Sequence, residues 1–364
     1  MKLLYITNGI NGAGGLERIL ALKTNYFIEN FGHEVHILVL NEGHLDPFYD
    51  FNAAVQFHSI TVSGNPVTYF LHYKKQIQQL VGQIDPQVIL VCDDGLKGFA
   101  IPQFISKTIP IIYERHVSKE IEFHANMSFL QRTLVKIKHQ VMNRLGASFD
   151  RFVVLTAGNL EEWDLKNTVV IPNCLTFYPE NTADLSAKRC IAVGKHGYQK
   201  GFDRLLESWK TVQAQYPDWE LHIYGKYEED QSLIRLAQQL KVSDSVFFHQ
   251  PTKSIQEEYL KSSIFLFSSR FEGFGMVLTE AMACGVPCIS YDCHYGPSDI
   301  IQHGQDGLLI PNGDIQTFAT AICSLIQDES MRKQMGALAR ENVKRYQPEI
   351  VMTQWNELFN TVNR

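Results

Sequence analysis

The chain has 364 residues, 45% of them hydrophobic and 20% charged, which is more than one core usually serves, so two domains are expected. A formal charge of −6 excludes the overall basic field that draws a protein to nucleic acid, and no such partner is expected. The seven cysteines, an odd number without C-x2-C spacing, exclude a zinc ribbon and suit a reducing cytoplasm. The start, MKLLYITNG, is too briefly apolar for a signal peptide, and no apolar run approaches the ~18 residues of a membrane span.

Short runs rich in Val, Ile and Tyr alternate with longer amphipathic stretches, the grammar of βαβ units. The first half predicts a strand at 3–7, a helix from Leu16 to Phe31, strands at 35–40 and 55–60, and a helix from Tyr69 to Gln83. Strands at 88–92 and 110–113, a helix from Met127 to Leu145 and a strand at 151–155 complete one open, mostly parallel sheet with helices on both faces. Residues 171–188 carry Pro172, Pro179, Asp184 and Ser186 with little periodicity and read as an interdomain connection. A second series then predicts strands at 189–193, 219–224, 245–249, 264–267, 287–291 and 307–310, with helices such as Phe202 to Tyr216 and Val277 to Ala283 between them. The tail from Ile315 to Asn363 is helical with a break at Pro348, and no long repeat appears.

In open α/β sheets ligands bind beyond the carboxyl ends of strands, where helix N-termini offer free amides. Three glycine-bearing turns fall there. NGINGAGGLER (8–18) holds Gly12, Gly14 and Gly15 but fails the G-x-G-x-x-G register of a dinucleotide site, and no P-loop pattern occurs. VGKHGYQKGFD (193–203) sets Lys195 and Lys200 around a loop before a helix, where two ammonium groups can converge on a phosphate pair; a merely solvated loop is the bland alternative. SRFEGFGMVLTEAMACGVPCIS (269–290) places Glu272 in a Gly-rich loop and Glu280 eight positions on, along a helix whose Val277, Leu278, Ala281 and Met282 read as buried. That loop resembles a nest of free N–H groups, and the two carboxylates can accept from sugar or ribose hydroxyls. Cys284, Cys288, Cys293 and His294 cluster in sequence, but they straddle a helix end and a strand and read as small buried side chains rather than metal ligands.

These residues resemble glycosyltransferase family 4, retaining enzymes of the GT-B type that use nucleotide sugars. The resemblance runs along nearly the whole chain: GGLER (14–18), IPN (171–173), VGKHGYQKGFD, the Glu272 and Glu280 pair, GPSDII (296–301) and GQDGLLIP (304–311). It implies an α/β fold of two Rossmann-like domains facing each other across a cleft. Residues 1–172 would form an acceptor domain on which a C-terminal helix at 346–364 packs back, and 173–345 the nucleotide-sugar domain. Carried onto this chain, Glu272 holds donor-sugar hydroxyls, Glu280 the ribose, and Lys200 the diphosphate. Lys195 stands where arginine is usual, which keeps the charge and loses bidentate contact. Backbone amides of Phe274, Gly275 and Met276 reach donor phosphate or sugar, and Gly14 and Gly15 let the first loop approach the diphosphate. Asp299 replaces a glutamate. The family places a histidine near the donor sugar, and in IIYERHVSK (111–119) either Arg115 or His116 takes that position, with His116 favoured.

The implied reaction moves a hexose or N-acetylhexosamine from a nucleotide sugar, UDP-linked, to a glycan or lipid-linked hydroxyl in envelope polysaccharide or glycolipid synthesis. Lys195, Lys200 and a helix N-terminus then stabilise the leaving diphosphate without metal or other cofactor. No Asp-x-Asp occurs; the adjacent Asp93 and Asp94 are the one reservation to a metal-free reading. Between 127 and 151 Arg132, Lys136, Lys138, Arg144 and Arg151, against Asp150 alone, are interleaved with Phe129, Leu130, Leu134, Val135, Ile137, Val141 and Met142, a pattern that suits an anionic membrane surface or, equally, a packed helix with a solvated basic face. A cytoplasmic protein, peripheral on the inner face of the cell membrane, is the corresponding location. A nucleotide-sugar epimerase of the same fold and a silent glycan-binding module are competing readings, and a nicotinamide-dependent dehydrogenase is disfavoured by the missing fingerprint.

Overall fold

The computed structural model describes residues 1–42, 46–123, 127–227 and 231–363. The alternating apolar and amphipathic segments fold first as β1 (Lys2–Thr7), α1 (Gly15–Phe31), β2 (Glu34–Leu40), β3 (Gln56–Ile60), α2 (Pro66–Ile84) and β4 (Val88–Cys92). Next come α3 (Leu96–Phe99), β5 (Ile111–Glu114), α4 (Phe129–Gly146), β6 (Arg151–Val154) and β7 (Thr168–Val170). The second series runs β8 (Arg189–Val193), α5 (Phe202–Gln215), β9 (Glu220–Tyr224), α6 (Ser232–Leu240), β10 (Val246–His249), α7 (Ile255–Leu260) and β11 (Ile264–Phe267). It continues with α8 (Met276–Ala283), β12 (Cys288–Asp292), α9 (Pro297–Ile300), β13 (Gly307–Pro311), α10 (Ile315–Gln327) and α11 (Glu329–Asn342), and the chain closes with α12 (Pro348–Val362).

Two compact units result, Met1–Thr176 with Pro348–Arg364, and Phe177–Gln347. The first boundary falls after residue 172 because the chain stays in the first unit beyond β7. Ile171 still donates its amide to Val154, and Cys174 and Leu175 are buried.

The first unit holds a wholly parallel sheet in the order β3-β2-β1-β4-β5-β6-β7. Tyr5 of β1 pairs with Ile37 on one side and Leu90 on the other. All five residues of β4 are buried, as a strand covered on both faces requires. The second unit repeats the plan with β10-β9-β8-β11-β12-β13, also parallel throughout. In each sheet the strand order reverses direction beside the first strand, between β1 and β4 and between β8 and β11. These are the topological switch points, where the flanking loops leave the sheet on opposite faces and open a crevice.

The first unit is finished by α12, which lies on α1. Trp355 and Phe359 are buried, and the Phe359 ring meets Phe27 edge-on at 5.4 Å. Each such buried aromatic contributes about 1.5–3 kcal/mol, enough to hold a 15-residue helix that propensity alone leaves marginal.

Two elements depart from expectation. Strand β7 is only three residues, Thr168–Val170, too brief for any periodicity to announce it. The tail breaks at Asp328 as well as before Pro348, because Asp328 ends α10 and its carboxylate accepts from the Met331 amide to start α11. All seven cysteines are buried free thiols, including Cys284, Cys288 and Cys293.

Candidate functional site

At the second unit's switch point the loops after β8 and β11 are fastened together by backbone contacts. The Arg270 amide donates to the Gln199 carbonyl at 2.7 Å, and the Ser268 hydroxyl to the Lys200 carbonyl at 2.8 Å. This seam brings Lys200 Nζ to 2.6 Å from Glu272 Oε1, while Gln199 Nε2 donates to Oε2 at 3.3 Å. Beneath it Arg270 forms a two-pronged pair with Asp203 at 2.9 and 2.6 Å, and Arg204 donates to the Ser268 carbonyl at 2.8 Å. Arg270 holds the Asp203 carboxyl below its usual range, although burial works the other way. Lys195 is exposed and, among the described residues, makes no ion pair.

The seam depends on Gly201. Its φ of 61° lies in the left-handed region, and a Cβ there would sit 2.2 Å from the Ser268 carbonyl oxygen. Gly201→Ala is expected to destabilise by at least about 1–3 kcal/mol. Urea unfolding checks this, and an unchanged midpoint would mean that the turn is not held in this way.

Glycine also opens the helices that follow β1, β8 and β11. α1 starts after Gly14, α5 after Gly201 and α8 after Gly275, and none has a side chain capping its first amides. By contrast α2, α4, α10 and α11 are capped by Asn65, Ser128, Asp314 and Asp328. The uncapped ends leave N–H groups and the positive end of the dipole to an anion. In α8 these are the amides that follow buried Phe274 and Gly275, the latter at φ 101°, with Met276 as the first helical residue.

Glu280 sits within α8 and is buried, with the Tyr259 hydroxyl donating to its Oε2 at 3.2 Å. Leu278, Ala281 and Met282 are buried around it, whereas Val277 is half-exposed because it starts the helix at the loop side. Asp299 has its carbonyl engaged by Arg345 and Tyr346.

In the first unit exposed Gly14 ends a loop and exposed Gly15 opens α1, and the base of that loop is tied down by Glu42, which accepts from the Ile10 amide and from Asn11. Across this unit's switch point Asn8 donates to Asp93 at 3.0 Å, and Lys97 pairs with Asp93 at 2.9 Å. Arg115 is buried, pairs with Asp94 at 2.9 Å and lies over the Trp163 ring. His116 turns the other way, with Nε2 3.1 Å from Glu114 Oε2. Both Glu114 oxygens are 2.7 Å from buried Lys23. Burial alone pushes the Glu114 carboxyl up, but Lys23 and His116 outweigh it and hold it below the ordinary range.

Among the described residues, two groups of side chains carry metal-type donor atoms. Cys92, Glu114 and His116 bring ligand atoms within 4.8 Å of one another, yet Lys23 already occupies both Glu114 oxygens. Asp93 and Asp94 are likewise each compensated, by Lys97 and Arg115. A cation added to either place would face an ammonium or guanidinium at contact distance.

Sequence reasoning did not find Lys23, Glu114, Asp203, Arg204 or Arg270. The Lys23–Glu114 and Asp203–Arg270 pairs and the Arg204 contact with Ser268 span 91, 67 and 64 positions, so no local spacing signals them.

Residues 178–342 match the family described as Glycosyl transferases group 1, and residues 15–146 that described as Glycosyl transferase 4-like. The chain is 28% identical over 371 residues to the amylovoran biosynthesis glycosyltransferase AmsD of Erwinia amylovora, covering 99% of each. An uncharacterized glycosyltransferase of Haemophilus influenzae is 28% identical over 368 residues, covering 98% of this chain and 99% of that one. Among solved structures, Anabaena HepE in complex with UDP-glucose matches with a TM-score of 0.78 at 16% identity, over 99% of this chain and 100% of that one, a likeness of fold.

Proposed function

This chain belongs to the GT-B glycosyltransferases of group 1, and from that membership we propose that it moves a hexose or N-acetylhexosamine from a UDP-sugar, with retention, to a hydroxyl of a glycan or lipid-linked acceptor in envelope polysaccharide or glycolipid synthesis. The observation that carries this reading is the Lys200–Glu272 pair at 2.6 Å, set beside the uncapped N-terminus of α8 at a switch point. An ammonium and free amides suit the diphosphate, and the adjacent carboxylate suits sugar hydroxyls. Lys195, exposed in the same loop, adds charge for the leaving group, and the backbone amides of Phe274, Gly275 and Met276 at the start of α8 add fixed dipoles that need no reorganisation as charge develops. Glu280 is the group for the ribose, sharing its carboxylate with Tyr259. UDP as the carrier rests on the HepE complex with UDP-glucose, and the envelope setting on AmsD.

Retention needs no carboxylate nucleophile if a phosphate oxygen of the donor takes the acceptor's proton on the same face. Incubating the protein with a panel of nucleotide sugars and following slow donor hydrolysis tests the function; no turnover of any of them would sink it. Because Asp93, Asp94 and Glu114 each already face a cation, the reaction is expected to survive exhaustive EDTA. A loss that magnesium or manganese restores would show that some acids of the chain hold a metal.

The acceptor belongs at an anionic membrane surface, and α4 is the element that supports this. Leu130, Leu134, Ile137 and Val141, at i, i+4, i+7 and i+11, form one stripe with exposures of 42% to 68%, and Phe129 beside it is 87% exposed. The helix meets the core through Met142 and Gly146 instead. Exposed Arg144 borders the stripe, exposed Arg132 and Lys136 add positive charge elsewhere on the helix, and no acid lies between 129 and 146. A second copy docked there would bring like charges together, whereas anionic headgroups complement them. No helix among the described residues is long and apolar enough to cross a membrane.

A further inference from the structure

We propose that Glu114 is the positioning residue for His116, turning the imidazole so that Nε2 carries the proton and Nδ1 is left to accept a hydrogen bond from a substrate hydroxyl. This rests on the reading of His116 as a residue of the transfer reaction.

The geometry begins with alternation at the end of β5. Glu114 and His116 fall on one side and Arg115 on the other, where Asp94 and the Trp163 ring occupy its guanidinium. An ionised carboxylate only accepts. The contact of 3.1 Å between Glu114 Oε2 and His116 Nε2 therefore places the ring proton on Nε2. Three further groups face the carboxylate. Lys23 of α1 meets both of its oxygens, Cys92 of β4 is a thiol that burial keeps protonated, and the Tyr5 hydroxyl of β1 is likewise held neutral by burial. None of them removes the charge. On its far side the Lys23 ammonium rests 3.5 Å over the Trp355 ring of α12, which satisfies it without another anion.

Stability is a poor reason for such an arrangement. The side chains of Lys23 and Glu114 are 4% and 3% exposed. Desolvating both ends of an ion pair to that degree is often matched or bettered by an apolar pair of similar volume. What the apolar pair cannot do is direct the tautomer and rotation of a neighbouring imidazole, as carboxylates behind histidines do elsewhere in enzyme chemistry.

The test uses the full chain with its His116 ring nitrogens labelled. In the wild type, 15N shifts at neutral pH are expected to show Nε2–H; Nδ1–H would overturn the proposal. In the double variant Lys23→Met with Glu114→Gln both charges leave together, so no buried ion is stranded, and the ring should populate both tautomers. Across the UDP-sugar panel, kcat for donor hydrolysis should fall about 10- to 100-fold, with the Kd for UDP, measured by calorimetry, within threefold of wild type. Glu114→Gln alone should show the same change of tautomer if the double variant does not fold. An unchanged tautomer, or turnover within twofold of wild type, overturns the proposal. His116→Ala separates the two ideas: if it leaves turnover within twofold, the role of His116 in transfer fails while the tautomer result stands on its own.

Discussion

Lys200→Ala is expected to lower the specificity constant for the nucleotide-sugar donor by about 10- to 150-fold, the equivalent of one charge-assisted hydrogen bond at roughly 1.5–3 kcal/mol. The loop should keep its path, because the Gln199 and Lys200 contacts that bind the two loops are made by carbonyls and survive truncation of the side chain. Glu272, however, is buried and loses its cation, so some loss of stability accompanies the loss of turnover. Adding Glu272→Gln removes the stranded charge. The double variant should therefore recover thermal stability while its affinity for UDP, which Glu272 is not assigned to hold, stays as low as in Lys200→Ala, and this separates a binding role from a structural one. A specificity constant within twofold of wild type for Lys200→Ala would mean that the diphosphate sits elsewhere.

The second large effect concerns α4. Replacing Leu134 and Ile137 by glutamate is expected to reduce co-sedimentation with phosphatidylglycerol-containing vesicles by more than tenfold. Each leucine or isoleucine that no longer buries in lipid forfeits up to about 1.5–3 kcal/mol, and each new anion opposes the headgroups. Both positions are exposed, so the unfolding free energy should change by no more than about 0.5 kcal/mol. Vesicles of phosphatidylcholine alone should bind the wild type weakly, and raised salt should weaken binding to anionic vesicles. Wild-type protein that stays in the supernatant with anionic vesicles would remove the membrane reading. A concentration-dependent dimer abolished by the same substitutions would replace it with a self-contact.

The alternation of elements was legible because it is local. Period-two and period-3.6 patterns mark most strands and the longer helices, and the glycine turns at 14–15, 201 and 275 mark where the strands hand over to helices. What was not legible depends on distance along the chain. Lys200 and Glu272 are 72 positions apart and Lys23 and Glu114 are 91 apart, so their pairing exists only once the strand order is known. Helix α4 shows a different limit. Its sequence displays an apolar stripe, but a stripe looks the same whether it meets a core or solvent. Only the placement of Met142 and Gly146 against the sheet reveals that Leu130, Leu134, Ile137 and Val141 point away. Between Arg115 and His116 the sequence only favoured His116, for a related reason, since Arg115's partner Asp94 is 21 positions away and shows only in the fold.

The return of α12 to the first unit has a consequence for how the chain is made. Residues 177–347, a stretch of 171, lie between the body of that unit and its last helix. At about 5–20 residues per second on the ribosome, β1 to β7 wait roughly 10 to 35 seconds for Trp355 and Phe359 to emerge. Until then Lys23 lacks the Trp355 ring and Phe27 lacks Phe359. The second unit, being continuous, can close as soon as Gln347 is free, so the half of the protein synthesised later is the first able to finish. Slow translation across 177–347 should lengthen that interval in proportion.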